Sequence, residues 1–542
     1  MVSLWGSNKN GDDQAQDNHR ESSDNMPRAS EDEHHEPTER DRLLPREHGR
    51  PRQDGYLDPD DPAVSPYNLW SVRALRFLAL VFASITFVWW VLLLVSIFVS
   101  PPGLNTRGSG FFDFSFTTLT SGILLTTVLF FSAPSLAMRV CQGVIAVLLV
   151  ADLIIIVSVP RLRSEEGPPG IASVVWAALM CIFCVISDRV VAWGKREEEE
   201  RLTGRPETRR TVREWLAVLL ATIILAVFIV ITLLLTATLI LRATDAGLEL
   251  EGSRVYVDGD KYRVHINCVG NVTDSHGKKL TTVLLEAAET PSEYDFEPWL
   301  YHAYKNGTID RYCYWDRPGY AWSDNAPSPH SAGMSADNLA TALATIGEEG
   351  PWVLVSAGYG SVVSRIFHSR NFKSVTGVML VDGLHEDLLY RIASPAHGFV
   401  LWGWGILSPL GLQRVAGALF GGVSREDRVY GSKSYQSGKF IKAQLQESLV
   451  GDSLSKTEVR STLPLLGGSD VPLVVVSSGI ETRSDSEWEE KQKALTLTTS
   501  NLLSWDVVGK APHYVWKTFE GRQVMEKRLG QLVKAAKVSR SD

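Results

Sequence analysis

Residues 352–367, WVLVSAGYGSVVSRIF, run from a short apolar stretch through a turn of small residues into a second apolar stretch. The valines before the turn favour a strand and the spacing after it favours a helix, so the turn reads as a strand-to-helix elbow. In a nucleophile elbow, of pattern G-x-S-x-G, the central side chain stands exposed on a strained turn. A Ser, Cys or Asp there can attack because its reactive atom is held beside backbone N–H donors. Here the central residue is Gly358, between Ala357 and Tyr359, with Ser356 and Gly360 at the flanks. Glycine offers only backbone. Ser356 belongs to the strand and Ser361 to the first helical turn, so each reads as a strand-end or helix-start serine before it reads as a substitute nucleophile.

The surrounding pattern says what must hold this elbow. After Arg242, β-branched apolar runs alternate with helical stretches, as in a mostly parallel sheet covered on both faces. Strands are predicted over 253–258, 262–269, 281–287, 311–315, 352–357, 375–382, 471–478 and 502–508. Helices are predicted near 292–305, 331–347, 360–370, 486–500 and 514–537. Gly259-Asp260 joins the first two strands as a hairpin turn. The stretch between the sixth and seventh strands is too long for a plain loop and implies an inserted cap over about 384–465.

This order, with a hairpin start, an elbow after strand five and an insertion after strand six, resembles the α/β-hydrolase superfamily over residues 250–537. The most specific piece is Asp316-Arg317-Pro318-Gly319-Tyr320-Ala321-Trp322-Ser323-Asp324, similar to the DRPGYGxSD segment that follows strand four in many such enzymes. The resemblance implies a nucleophile after strand five, an acid after strand seven or six, and a histidine after strand eight. Gly358 then stands in the nucleophile position and His513 in that of the base. Glu481, Asp382 and Asp387 are the candidate acids. Oxyanion donors would be the backbone of Ala287 and Tyr359. The turn after strand three, Leu285-Glu286-Ala287-Ala288-Glu289, departs from the family's glycine-rich form. Its acids on either side of the alanines suit a negative oxygen poorly.

Upstream, five apolar runs near 77–99, 114–133, 140–159, 171–190 and 215–241 approach or reach the roughly 20 residues that a membrane helix needs. They read as a transmembrane region over 71–243, placed between a polar tail at 1–70 and the hydrolase-like domain at 244–542. The tail has too few apolar residues to offset its ordering entropy and reads as disordered. The runs show no buried acid or base that would mark a transport path. The whole arrangement resembles a fungal family of uncharacterised integral membrane proteins, often labelled mitochondrial, whose helical half is a region of unknown function.

Lys and Arg are concentrated before the first run and between the fourth and fifth, which orients the N-terminus to the cytosol and the last domain to a lumen. Two N-glycosylation sequons, at Asn271 and Asn306, fall on that lumenal side. Of five cysteines, Cys268 and Cys313 lie on adjacent predicted strands, where they either pair in an oxidising lumen or stay as two buried thiols. In the tail, Glu39 precedes Leu43-Leu44 in a pattern similar to an acidic dileucine signal, which cytosolic sorting adaptors read. An endomembrane or vacuolar location is therefore favoured, with a mitochondrial one as the alternative. The formal net charge of -8 offers no nucleic-acid footprint, and no motif calls for a cofactor or a metal.

The expected function is a membrane-anchored hydrolase fold that is catalytically degenerate and binds an apolar or lipid-like ligand, or a partner, beneath its aromatic cap. The alternatives are an active ester or lipid hydrolase with an unrecognised nucleophile, and a transporter-like membrane module.

Overall fold

The structure, a computed structural model, describes residues 66–104, 106–204 and 210–538. The dileucine residues Glu39, Leu43 and Leu44 lie outside the described residues.

Among the described residues, five helices are long and apolar enough to cross a membrane: Trp70–Phe98 (α1), Phe111–Leu129 (α2), Leu136–Ser158 (α3), Pro160–Thr203 (α4) and Val212–Asp245 (α5). They form one bundle, with α2, α3, α4 and α5 sharing a core of Phe116, Leu124, Leu149, Cys181 and Leu225. Its outer face is apolar too, with Phe87, Val147 and Leu216 exposed, as expected where lipid is the solvent. Helix α2 is rich in threonine, yet Thr117, Thr120 and Thr127 each donate a hydroxyl to the carbonyl four residues back. Each polar group is thus satisfied inside its own helix. Helix α4 extends well past the predicted 171–190; its path breaks at Gly167, ahead of Pro168 and Pro169. One expectation is corrected. Asp152 and Asp188, within the third and fourth apolar runs, are buried inside the bundle, because charge was counted along each run and not by the face on which it falls.

The second half carries one eight-stranded sheet of order β1-β2-β4-β3-β5-β6-β7-β8. The strands are Ser253–Val257, Tyr262–Val269, Thr282–Glu286, Tyr312–Asp316, Trp352–Ala357, Val375–Val381, Pro472–Ser478 and Asn501–Val508, numbered β1 to β8. β2 runs antiparallel to both β1 and β4, and every other pairing is parallel. Cys268 and Cys313 sit opposite one another on β2 and β4 and are joined by a disulfide.

Strand β5 is buried on both faces. Val353, Val355 and Ala357 pack toward α7 (Glu297–Lys305) and α17 (Phe519–Val538). Leu354 packs toward α8 (Ala332–Thr345) and α9 (Gly360–Arg370). Double burial is why β5 reads as a continuous apolar run and not as an alternating one. The short α6 (Ser292–Asp295) precedes α7, which splits the single helix predicted at 292–305. Past β7, α15 (Gly479–Ser484) leads into α16 (Ser486–Leu495), which stops short of the predicted 500.

Between β6 and β7 lies the cap: Pro395–Leu407 (α10), Leu412–Phe420 (α11), Arg425–Val429 (α12), Gly438–Val450 (α13) and Lys456–Gly467 (α14). It docks on the apolar bundle. Trp402 lies against Phe98 of α1, with ring centroids 6.4 Å apart. The buried Lys442 ammonium donates to the carbonyl of Ile97, and the Ser328 hydroxyl to the same oxygen at 3.0 Å. The carbonyls that end a helix have no partner within it, so the hydrolase-like half supplies a cap for α1. Gly411 opens α11 at φ +57, and a Cβ there would run into the Thr238 side chain of α5. Gly411→Ala would therefore carry a left-handed backbone cost of about 1–2 kcal/mol, besides the clash. The expected result is a lower thermal midpoint and new protease cleavage within 395–429. An unchanged midpoint with the cap still resistant would refute the tight docking.

Candidate active site

The elbow is built as its pattern predicts. β5 ends at Ala357, Gly358 turns the chain at φ +46, and α9 starts at Gly360. That positive φ is the strained conformation in which an elbow projects its central side chain, so the backbone of the motif is kept and only the side chain is missing. The substitute serines point elsewhere. Ser361 is buried and donates its hydroxyl to the Gly358 carbonyl at 2.8 Å. Ser356 is wholly buried within β5.

His513 lies in the loop between β8 and α17, across from the elbow. Its Nδ1 bonds Asp382 Oδ2 at 2.7 Å. Asp382 follows β6 directly, at φ +42, a left-handed conformation that costs an L-residue about 1 kcal/mol. Its second oxygen accepts from the Ser478 N–H at 2.9 Å and from the Trp488 indole at 3.1 Å. Fully buried, it is held by three donors. The other two acids make different contacts. Asp387 pairs with Arg460 and Lys491. Glu481 lies in α15, where its N–H is capped by Ser478.

The space that a nucleophile would occupy is filled from the other side. Glu289, in the turn after β3, accepts from the Tyr359 N–H through Oε1 at 2.9 Å. Its Oε2 lies 3.4 Å from His513 Nε2. A Cβ added at Gly358 would come within 2.6 and 2.8 Å of these two oxygens and 3.0 Å from the Ala288 methyl. A side chain at 358 therefore requires the Glu289 carboxylate to move. The turn that carries Glu289 is held by Arg317 of the DRPGY segment. Its guanidinium donates to the carbonyls of Ala287 and Ala288, and pairs with Glu286 at 2.9 Å and Glu447 at 3.0 Å. Of the two backbone donors expected for an oxyanion, the Tyr359 N–H is taken by Glu289.

Burial alone would push the His513 pKa down, but hydrogen bonds and charge from Asp382 and Glu289 outweigh it and raise it to about 10. Burial would likewise raise Glu289, and the His513 contact overrides it and holds the carboxyl below its ordinary value. Both side chains keep 27% exposure while Asp382 has none. The shifts of His513 and Glu289 favour an imidazolium facing a carboxylate. Both ring nitrogens of an imidazolium are donors, so it has no lone pair with which to take a proton.

Sequence reasoning treated Glu289 as a defect in an oxyanion turn. The signal that it is a partner was its place just beyond β3, within reach of an elbow lacking a side chain. Trp488 was missed altogether, since nothing local marks an indole from α16 as a donor to Asp382. The sequons fall on exposed residues, Asn271 and Asn306, with Asn306 bonded to Glu526 at 2.9 Å. Cys268, Cys313 and Glu348 lie close together, but two sulfurs joined in a disulfide are not thiolate ligands.

Residues 39–268 match the family described as a region of unknown function (DUF2417). An uncharacterized protein of Schizosaccharomyces pombe is 34% identical over 527 residues, covering 91% of this chain and 96% of that protein. An uncharacterized vacuolar membrane protein of Saccharomyces cerevisiae is 28% identical over 324 residues, covering 51% of this chain and 50% of its own length. Among solved structures, an esterase from Thermogutta terrifontis covers 53% of this chain and 99% of its own, at 17% identity and TM-score 0.35. A haloalkane dehalogenase from Bradyrhizobium elkani covers 53% of this chain and 98% of its own, at 10% identity and TM-score 0.38. The α/β-hydrolase fold is read from the sheet order itself, and these likenesses add nothing about chemistry.

The His513–Glu289 pairing makes a pH prediction. His513 has its pKa raised above the unfolded value of about 6.5, so its contribution to stability is complete below that pH and is lost as pH rises through about 10. Thermal unfolding of the protein and of His513→Gln, compared from pH 6 to 10.5, should show their difference shrinking across this window. A difference that stays constant would mean that His513 is neutral.

Proposed function

This chain belongs to the family that carries the region of unknown function (DUF2417), and from that premise we propose that it is a membrane protein whose α/β-hydrolase domain is a catalytically silent binding scaffold. One observation carries this reading. The Glu289 carboxylate occupies the place of the missing nucleophile, engages the Tyr359 N–H and charges His513. Acyl transfer needs an attacking atom, a neutral base and free oxyanion donors, and this one side chain favours the charged form of the base and takes the Tyr359 donor. The ligand class this scaffold suits is apolar or lipid-like, because the cap presents Phe399, Val400 and Trp404 to its surroundings.

In this reading the domain faces a lumen and the N-terminus the cytosol. Supporting this are the basic loop between α4 and α5, the two exposed sequons and the Cys268–Cys313 disulfide, which suits an oxidising compartment. The name of the S. cerevisiae relative supports a vacuolar membrane over the mitochondrial alternative. Endoglycosidase treatment should shift the mobility of the protein in a way that depends on Asn271 and Asn306. Digestion of the domain by protease added from the cytosolic face would overturn this topology.

A second reading is favoured by the same carboxylate: Glu289, with 27% exposure, as the unrecognised nucleophile of an active ester hydrolase. Fluorophosphonate labelling and short-chain ester turnover separate the two. Under the silent reading the natural protein is inert. Gly358→Ser alone is hindered, because its side chain must first displace the Glu289 carboxylate. Gly358→Ser combined with Glu289→Ala gains labelling that His513→Ala removes. Ester turnover by the natural protein, abolished in Glu289→Gln, would establish the second reading.

A further inference from the structure

Where the cap meets the apolar bundle, the charges do not balance. A recess of about 60 Å³ lies there, lined by Arg161, Arg242, Arg414, Arg428 and Lys439. Three carboxylates answer these five cations. Glu165 pairs with Arg161, Arg242 and Lys439, Glu166 with Arg242, and Asp245 with Arg414 and Arg428. Asp113 adjoins Glu166, and even with it the cations remain in excess. Arg254 and Arg263, which share Asp324 beside the same network, add to that excess. Arg414 is only 8% exposed, and although its Nη2 bonds Asp245 at 3.1 Å, its Nε has no hydrogen-bond partner in the structure. Buried charge without a counter-charge is costly. A volume of this size has room for a few waters or for one compact anion.

Ser408 and Arg414 also line a second cavity, of about 400 Å³, whose other walls include Leu401, Trp404, Leu407 and Leu412. Trp404, Leu407 and Leu412 remain more than half exposed. A cationic recess thus adjoins an apolar cavity, at the surface of helices long enough to cross a bilayer. This is the pattern of an amphiphile with a compact anionic head. Guanidinium groups in a fixed array match phosphate oxygens, and the apolar cavity distinguishes a lipid from a free ion. We propose that this junction binds an anionic phospholipid, with its phosphate in the recess at Arg414 and its hydrocarbon along Leu401 and Trp404. The inference goes beyond the silent elbow and does not depend on it, since none of these residues touches His513 or Glu289.

The test uses the full chain in detergent, with native mass spectrometry to read bound lipid. Phosphatidic acid, phosphatidylcholine and inorganic phosphate are the three probes. Phosphatidic acid should be retained about tenfold more tightly than phosphatidylcholine, a difference of about 1.4 kcal/mol, and Arg414→Gln should erase that preference. Trp404→Asp, at a position 53% exposed and with its thermal midpoint measured beside the natural protein, should cut retention of phosphatidic acid by about tenfold while sparing any inorganic phosphate. Equal retention of the two lipids by the natural protein would overturn the proposal. So would phosphate binding without lipid retention, or full lipid retention by Trp404→Asp.

Discussion

Two carboxylates converge on one histidine ring and raise its affinity for a proton, and that coupling organises the site. Glu289 and Asp382 approach His513 from opposite ends, so a protonated ring between them is favoured. Each neighbour then has its place. Trp488 and the Ser478 N–H hold Asp382, Tyr359 N–H holds Glu289, and Arg317 holds the turn from which Glu289 extends. The acid–histidine contact has the form that a hydrolase uses, and here a second carboxylate faces the same ring.

Buried charge also explains how the two halves of the chain stay together. The cap does not rest on the helical bundle through apolar packing alone. Asp245 at the end of α5 takes two arginines from the cap, and Lys442 completes the end of α1. Such contacts are directional. They define one docking geometry, whereas apolar faces would slide.

Much of the fold was legible because it rests on local rules. The apolar runs gave five long helices, and the β-branched runs gave eight strands in hydrolase order. The errors came where a helix end or a buried face depends on neighbours. α16 stops at Leu495, α4 extends to Thr203, and Asp152 turns inward. A linear count of charges cannot see which side of a helix is solvated.

The site divides in the same way. The sequence by itself determined that the elbow has no nucleophile, because the identity of residue 358 is a covalent fact. It also set His513 in the loop after the last strand, and it narrowed the acids to a few. Only the tertiary structure decided that Asp382, and neither Glu481 nor Asp387, meets the histidine. Only the tertiary structure turned Glu289 from an apparent flaw into the group that fills the vacant position. The reason is distance: residues 289, 358, 382 and 513 are far apart along the chain and are brought together through the parallel pairing of β3, β5, β6, β7 and β8. Local pattern carries no information about a carboxylate that crosses from one strand end to the next.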